Sequence, residues 1–421
     1  MDENEGSNFV GYDQQETDSK ILRYRKIKIQ GKEFYQLVLN NTPFYAESGG
    51  QVGDTGLLFF GEEKIPVTDT KKENDLIIHF TEKLPADVTR PVKAKIDQEK
   101  RINTAIHHSA THLLHAALRS VLGEHVQQKG SLVNNEYLRF DFSHFAKLTK
   151  TETRQIELLV NEKIRKNIPV VVEETNKEEA LKKGAMALFG EKYGDKVRVV
   201  TMDPAYSIEL CGGTHVHSTG ELGFFKIINE TAVGAGLRRI EALSGQAAEN
   251  FMREQLAELN EVREKLKNPK NLAGSIDNLL LENTGLKKEL EKAREKQLSL
   301  LKDELLKKKR DVKNINFIGE IVDVANEEGL KKLAFLLKNE LDHFVIVLLA
   351  NITGKASAVV MIDEDIVSAK NINAPKIVKE IIAPFIQGGG GGQPTLATAG
   401  GKNVSQFNDV IESVQSFLSG I

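Results

Sequence analysis

The chain has one cysteine, no apolar run approaching a membrane span, and a formal net charge of only −3 over 421 residues. A single thiol excludes a disulfide framework and suits a reducing compartment. Without about 20 consecutive apolar residues, no transmembrane helix is expected. So small a net charge leaves nucleic-acid binding to local patches. The opening Met1-Asp-Glu-Asn-Glu-Gly is acidic and polar, unlike a secretory leader. The length exceeds one ordinary domain. Together these features predict a cytoplasmic, multidomain protein with no membrane partner.

What is present falls into four stretches. In residues 1–97, short segments such as Leu22–Ile29, Glu33–Leu39 and Pro91–Ile96 alternate apolar and polar. Glycine punctuation at Ser48-Gly-Gly-Gln-Val-Gly-Asp-Thr-Gly56 predicts a small β-barrel or curled sheet. Residues 98–247 mix helical periodicity, near 98–122, 150–166 and 176–183, with strands, which predicts an α/β core. In residues 248–311, Ile276, Leu279, Asn283, Leu286, Leu290, Ala293, Gln297 and Leu300 follow the three–four alternation of a coiled-coil seam. Met252, Leu256, Leu259 and Leu266 carry a shorter stripe, and Asn268-Pro separates the two. An antiparallel helical hairpin follows, its seam closed on itself or, alternatively, on a second chain. Residues 312–421 form a new α/β domain with a fully apolar strand at His343–Ile352 and helices near 374–386 and 404–419. Between those helices, Gln387 to Gly401 reads as a glycine-rich loop ending at a helix start, where backbone N–H groups suit phosphate; a flexible tether is the plain alternative. The fold class expected is therefore α+β.

Chemistry concentrates in two places. Residues 107–115 carry four histidines, and His108 and His112 stand one turn apart on one helix face. That spacing lets a helix offer two imidazoles to one metal ion, although the pair alone is a weak signal. Cys211-Gly-Gly-Thr-His215 supplies the only cysteine and a further histidine. Three nitrogens and a sulfur point to zinc rather than a harder ion. Ser109 follows His108 where a metalloprotease would place its glutamate, so that class is excluded. His107 points to another face, and His115 either supports the ligands or simply packs.

His108-Ser-Ala-Thr-His-Leu-Leu-His115, Gln128-Lys-Gly-Ser131, Gly184-Ala-Met-Ala-Leu-Phe-Gly-Glu-Lys-Tyr193, Cys211-Gly-Gly-Thr-His215 and Gly236-Leu-Arg-Arg-Ile-Glu241 together resemble the editing domain of alanyl-tRNA synthetases. Thr42-Pro-Phe-Tyr-Ala-Glu-Ser-Gly-Gly-Gln51 resembles the same family's glycine-rich strand pair, with Ala46 where proline is commoner. The hairpin and the glycine-rich terminal domain look like that family's C-terminal tRNA-binding module. The resemblance runs in order along nearly the whole chain. It does not include the class II aminoacylation domain, which would precede residue 1. The expectation is the C-terminal half of such a synthetase. A freestanding editing protein, and a tRNA-binding module with structural zinc only, are the alternatives. The similar editing domain of threonyl-tRNA synthetases would not bring the terminal domain along.

The resemblance implies zinc as cofactor and hydrolysis of the ester that joins serine or glycine to the 3′ end of alanine tRNA. The need is physical, because an alanine pocket cannot strongly reject one added hydroxyl or one missing methyl. By family analogy Thr42 contacts the serine hydroxyl. Gln128 matches the family's active-site glutamine; being uncharged, it orients water or the carbonyl rather than taking a proton. Arg238 and Arg239 are candidates for acceptor-stem phosphates, and Gly390, Gly391 and Lys402 for the tRNA elbow. A homodimer through the hairpin or the terminal domain is the remaining partner expected. Four protein ligands would close a tetrahedral zinc, so the ion shapes the pocket unless one ligand yields.

Overall fold

The computed structural model of the chain describes residues 6–29, 31–187, 194–370 and 372–421. The Leu188–Tyr193 end of the Gly184 motif lies outside the described residues. The chain divides into two compact units, Met1–Lys265 and Leu266–Ile421.

The first unit opens with β1 (Asn8–Phe9), which pairs in parallel with β5 (Asn41–Thr42). Beside this pair lie β2 (Glu16–Ser19), β3 (Ile21–Ile29), β4 (Lys32–Leu39), β6 (Gly56–Phe60), β7 (Glu63–Glu73), β8 (Leu76–Thr81) and β9 (Val92–Ile96). They form one antiparallel sheet in the order β2-β9-β6-β7-β8-β4-β3. Among the described residues no pairing joins its edge strands β2 and β3, which follow one another across Lys20, and the sheet is curled. Strand periodicity sets its inner face: in β9, Val92, Ala94 and Ile96 are buried while Lys93 and Lys95 between them are exposed. Asn74 and Asp75, both at positive φ, make the tight turn that matches strand twist between β7 and β8.

From β9 the chain enters α1 (Gln98–Leu122), whose first turn is capped by Asp97 accepting from the Lys100 N–H. There follow β10 (Gln128–Val133), β11 (Leu138–Ser143), α2 (Lys150–Arg165), β12 (Val171–Asn176), α3 (Lys177–Lys182), β13 (Lys196–Met202), β14 (Ser207–Leu210), β15 (Phe225–Gly234), β16 (Leu237–Ser244) and α4 (Gly245–Lys265). The sheet β10-β11-β16-β15 packs on α1 and α2 through Leu113, Phe140, Phe142 and Ile156. A smaller sheet, β12-β13-β14, carries the approach to Cys211. The β15–β16 hairpin is an element the sequence patterning did not announce. Most of β15 is exposed, and on β16 an arginine, Arg238, takes a buried position in line with Ile240 and Ala242.

One buried cluster fixes α1 against the curled sheet. Arg101 donates to the Gly11 carbonyl at 2.7 Å and the Pro43 carbonyl at 2.8 Å, and pairs with Asp54. Asp54 in turn accepts from the Tyr45 N–H at 2.7 Å. A buried charge pair survives only when its remaining hydrogen-bonding positions are filled, as they are here.

The second unit contains α5 (Leu272–Lys307), β17 (Arg310–Val312), β18 (Ile315–Ile321), α6 (Glu327–Lys338), β19 (Phe344–Ile352), β20 (Lys355–Ile362), α7 (Glu364–Lys370), α8 (Ala374–Ile377), a π-helical turn at Val378–Ile382, α9 (Ala383–Ile386), β21 (Gly388–Gln393), β22 (Leu396–Gly401) and α10 (Phe407–Ser419). Its sheet runs β17-β18-β19-β20-β22-β21, with β18 and β19 parallel. The apolar run of β19 is explained by two covered faces. Val345, Val347 and Leu349 enter the core with α10, while Ile346, Leu348 and Ala350 face α6.

One expectation is corrected here. The glycine run is a strand, not a loop before a helix: β21 is the sheet's exposed edge, paired along its length with β22. Glycine permits this because a Cβ on Gly390 would fall 2.1 Å from the Thr398 carbonyl, whereas one on Gly391 would meet nothing within 4 Å. The helices of the expected hairpin, α4 and α5, belong to separate units, and on α5 the seam residues Ile276, Leu279, Leu286, Leu290 and Leu300 are exposed in the single chain. Instead, α5 buries Leu298 and Leu305, two turns apart, against the terminal sheet's core.

The alternation on β21 gives a prediction. Gly390→Ala should destabilise the β21–β22 hairpin by about 1–3 kcal/mol, and Gly391→Ala by less than about 0.5 kcal/mol. Amide hydrogen exchange across β22 measures both.

Candidate metal centre

Helical spacing and one tight loop build the centre. On α1, His108 and His112 present their rings to the same side, with centroids 5.4 Å apart. From β14 the chain turns through Cys211-Gly-Gly-Thr-His215, and the His215 ring lies 4.6 Å from that of His108 and 4.8 Å from that of His112. One ligand atom from each of His108, His112, Cys211 and His215 falls within 4.8 Å of the others. The Cys211 Sγ is 3.4 Å from His108 Nε2 and 3.3 Å from His215 Nε2. In a tetrahedral zinc site, bonds of about 2.3 Å to sulfur and 2.0–2.1 Å to nitrogen put neighbouring ligand atoms about 3.5 Å apart. The donor set fits zinc, and the two sulfur–nitrogen distances match that spacing.

Charge fits as well. Burial holds the imidazoles of His108 and His215 well below the ordinary histidine range, with the neighbouring rings adding to the effect. Burial also lowers His112, against the pull of the Glu209 carboxylate. All three are therefore neutral near pH 7, the form that ligates. Glu209 is buried, and its carboxylate lies 3.2 Å from His112 Nδ1 and 3.0 Å from His115 Nδ1. A carboxylate and a thiolate together would balance a divalent cation.

The loop's backbone is held from outside. Arg198, on β13, donates to the carbonyls of Cys211 at 3.1 Å and Gly213 at 2.7 Å. Its guanidinium lies over the Tyr12 ring at 4.2 Å, and the Tyr12 hydroxyl donates to the Gly212 carbonyl at 2.6 Å. Gly213 cannot carry a side chain, since its Cβ would lie 2.0 Å from the His108 ring.

The other sequence-designated residues divide. His115 supports the ligands through Glu209. His107 is packed, donating from Nδ1 to the Asn134 carbonyl at 2.9 Å, and burial lowers its pKa to about 4. Gln128 begins β10 partly exposed, with no hydrogen-bond partner for its amide among the described residues. Thr42 is buried at the end of β5, beside the curled sheet. Its hydroxyl accepts from the Phe44 N–H at 3.1 Å and lies 2.7 Å from His79 Nε2. Since His79 Nδ1 faces the Leu37 carbonyl at 3.1 Å, that nitrogen carries the proton and Thr42 donates to Nε2. Arg238 is buried and paired with Glu230. Arg239 is held in a two-pronged pair by Asp141 at 2.6 and 2.8 Å. Gly390, Gly391 and Lys402 are exposed in the second unit.

Sequence reasoning missed Glu209, Arg198, Tyr12 and Gln51 as parts of this centre. Only Glu209 carried a local signal, two residues before the sole cysteine.

Comparison with known proteins gives three family matches. Residues 197–241 match the threonyl and alanyl tRNA synthetase second additional domain. Residues 1–100 match the class II (A) tRNA synthetases, and residues 314–420 the DHHA1 domain. The alanine–tRNA ligase of Cytophaga hutchinsonii is 50% identical over 412 residues, covering 97% of this chain and 47% of that protein. That of Christiangramia forsetii is 46% identical over 413 residues, covering 97% and 47%. The chain thus spans about half the length of the curated relatives it matches. Among solved structures, the C-Ala domain of Aquifex aeolicus alanyl-tRNA synthetase aligns at a TM-score of 0.25 and 24% identity, covering 27% of this chain and 98% of that one.

The centre predicts about one zinc per chain after dialysis, and less than about a tenth of that in Cys211→Ala or His108→Ala. Elemental analysis of the purified protein reads the difference.

Proposed function

The chain belongs to the alanyl-tRNA synthetase family over about half the length of its members, and on that premise we propose that it is their C-terminal, editing portion. It hydrolyses the ester joining serine or glycine to the 3′ end of alanine tRNA. The observation that carries this reading is the convergence of His108, His112, Cys211 and His215, from segments about a hundred residues apart, into one buried set of donors. No helix among the described residues is long and apolar enough to cross a membrane.

Zinc held by the four side chains would supply a fixed positive centre that anchors the terminal nucleotide. Because the chain already offers a full tetrahedral set, the nucleophile is an ordered water rather than one bound to the ion. Gln128 orients that water toward the ester carbonyl; a neutral amide can position but cannot abstract a proton. Water adds to the carbonyl carbon, the acyl–oxygen bond breaks, and a proton of that water passes to the leaving 3′ oxygen, giving the free amino acid and a tRNA with its 3′ hydroxyl restored. Serine is read through Thr42. With its proton fixed on His79 and one lone pair on the Phe44 N–H, the Thr42 hydroxyl has one lone pair left to accept from a substrate hydroxyl. Partner contacts extend to the tRNA elbow, to which the exposed strand β21 and Lys402 are offered.

The closed ligand set favours one further reading, a tRNA-binding module whose zinc is structural. Timing deacylation of Ser-tRNA and Ala-tRNA separates the two: the editing reading expects release of serine with alanine spared, and the module reading expects binding without turnover. Cys211→Ala combined with His112→Ala should abolish serine release while tRNA binding persists. Thr42→Val should lower kcat/KM for Ser-tRNA by about 10-fold or more, with less effect on Gly-tRNA, which has no hydroxyl to read.

A further inference from the structure

His108 and His215 turn Nε2 toward the Cys211 sulfur, at 3.4 and 3.3 Å, and all three imidazoles of the centre present Nδ1 to a polar neighbour. For two of them the holder is close in sequence to a ligand. Glu209, two residues before Cys211, faces His112 Nδ1. Ser109, next to His108, lies 3.0 Å from His215 Nδ1 and accepts from the Val216 N–H at 3.2 Å. The third holder comes from elsewhere. Gln51, in the glycine-rich stretch between β5 and β6, is fully buried, and its Oε1 is 2.7 Å from His108 Nδ1, 57 residues away.

The orientation of this amide is fixed by a group that can only donate. The Thr214 N–H points at the same Gln51 oxygen at 2.9 Å, so that atom is the carbonyl oxygen and not the amide nitrogen. An acceptor facing His108 Nδ1 requires the proton on Nδ1, which leaves Nε2 with its lone pair toward Cys211 Sγ. The other end of the amide is also used, since Nε2 of Gln51 donates to the Thr214 hydroxyl at 2.9 Å. Gln51 itself cannot drift. The Val52 N–H donates to the Val133 carbonyl at 3.0 Å, and the Val133 N–H to the Gly50 carbonyl at 2.7 Å. Gly50, at φ +82°, is needed for this approach, because a Cβ there would lie 2.8 Å from Ser131.

We propose that Gln51 is a positioning residue of the metal centre, through which the curled sheet sets the tautomer of His108 and the register of the Cys211–His215 loop. Sheet and metal are then reciprocally coupled: the seated sheet tightens metal binding, and bound metal tightens the seating of the sheet by the same factor. This rests on the zinc reading of the centre and is independent of whether the chain deacylates tRNA.

The test uses the full chain, zinc and a chromophoric chelator in competition, with no tRNA. Gln51→Leu, which keeps the volume and removes both polar ends, should weaken zinc about 10–100-fold. Gln51→Glu, which keeps the acceptor for His108 and Thr214, should retain affinity within a few-fold and so rescue the loss. The cobalt-substituted protein should show a tetrahedral visible spectrum in the wild type and Gln51→Glu, and a shifted or broadened one in Gln51→Leu. Zinc should also slow hydrogen exchange at Val52 and Val133 in the wild type but not in Gln51→Leu, a comparison made within each folded variant. Wild-type affinity in Gln51→Leu, or an equal loss in Gln51→Glu, overturns the proposal while leaving the metal centre intact. No zinc binding by the wild-type chain overturns both.

Discussion

Bringing three imidazoles and a thiol together in a buried space demands that each ring be turned and held. A neutral imidazole has one donor and one acceptor, and a wrong tautomer would point a proton into the ligand cluster. The first unit is arranged around meeting that demand. The helix α1 sets two rings one turn apart, the loop after β14 adds a ring and the sulfur, Gln51 and Ser109 face the Nδ1 atoms of His108 and His215 at hydrogen-bonding distance, and the Glu209 carboxylate lies 3.2 Å from that of His112. The buried Arg101–Asp54 cluster then keeps the curled sheet, and Gln51 with it, in register with α1.

The same arrangement explains why so much polar material lies inside this unit. Burying Glu209 or Arg101 unpaired would cost several kcal/mol. Both are instead fully engaged, and in Glu209's case the partners are the histidines themselves. The aromatic and cationic contacts of Tyr12 and Arg198 act on the loop's carbonyls, so the glycines that let the loop approach His108 do not leave it loose.

Much of this was legible in the sequence, because it is local. The apolar periodicity gave α1 its observed limits, the one-turn spacing of His108 and His112 placed them on one face, and the sole cysteine identified the loop. What was not legible depends on long-range contact. Gln51 was only the last residue of a glycine-rich strand-pair motif, since nothing near it in sequence reveals a partner 57 residues on. Arg238 looked like a surface cation, because charge suggests exposure and only the fold supplies Glu230. The glycine run looked like a loop, since glycine normally disfavours strands; here alternate glycines are what let β21 lie against the carbonyls of β22. The seam of α5 showed that heptad spacing indicates a helix face without saying what covers it.

The central claim is that one sulfur and three nitrogens hold a single ion. Zinc K-edge X-ray absorption on the loaded chain tests it most directly. The account predicts one sulfur at about 2.3 Å and three nitrogen ligands at about 2.0–2.1 Å. A spectrum with no sulfur shell, or with the six oxygen or nitrogen ligands of a loosely bound ion, would contradict it.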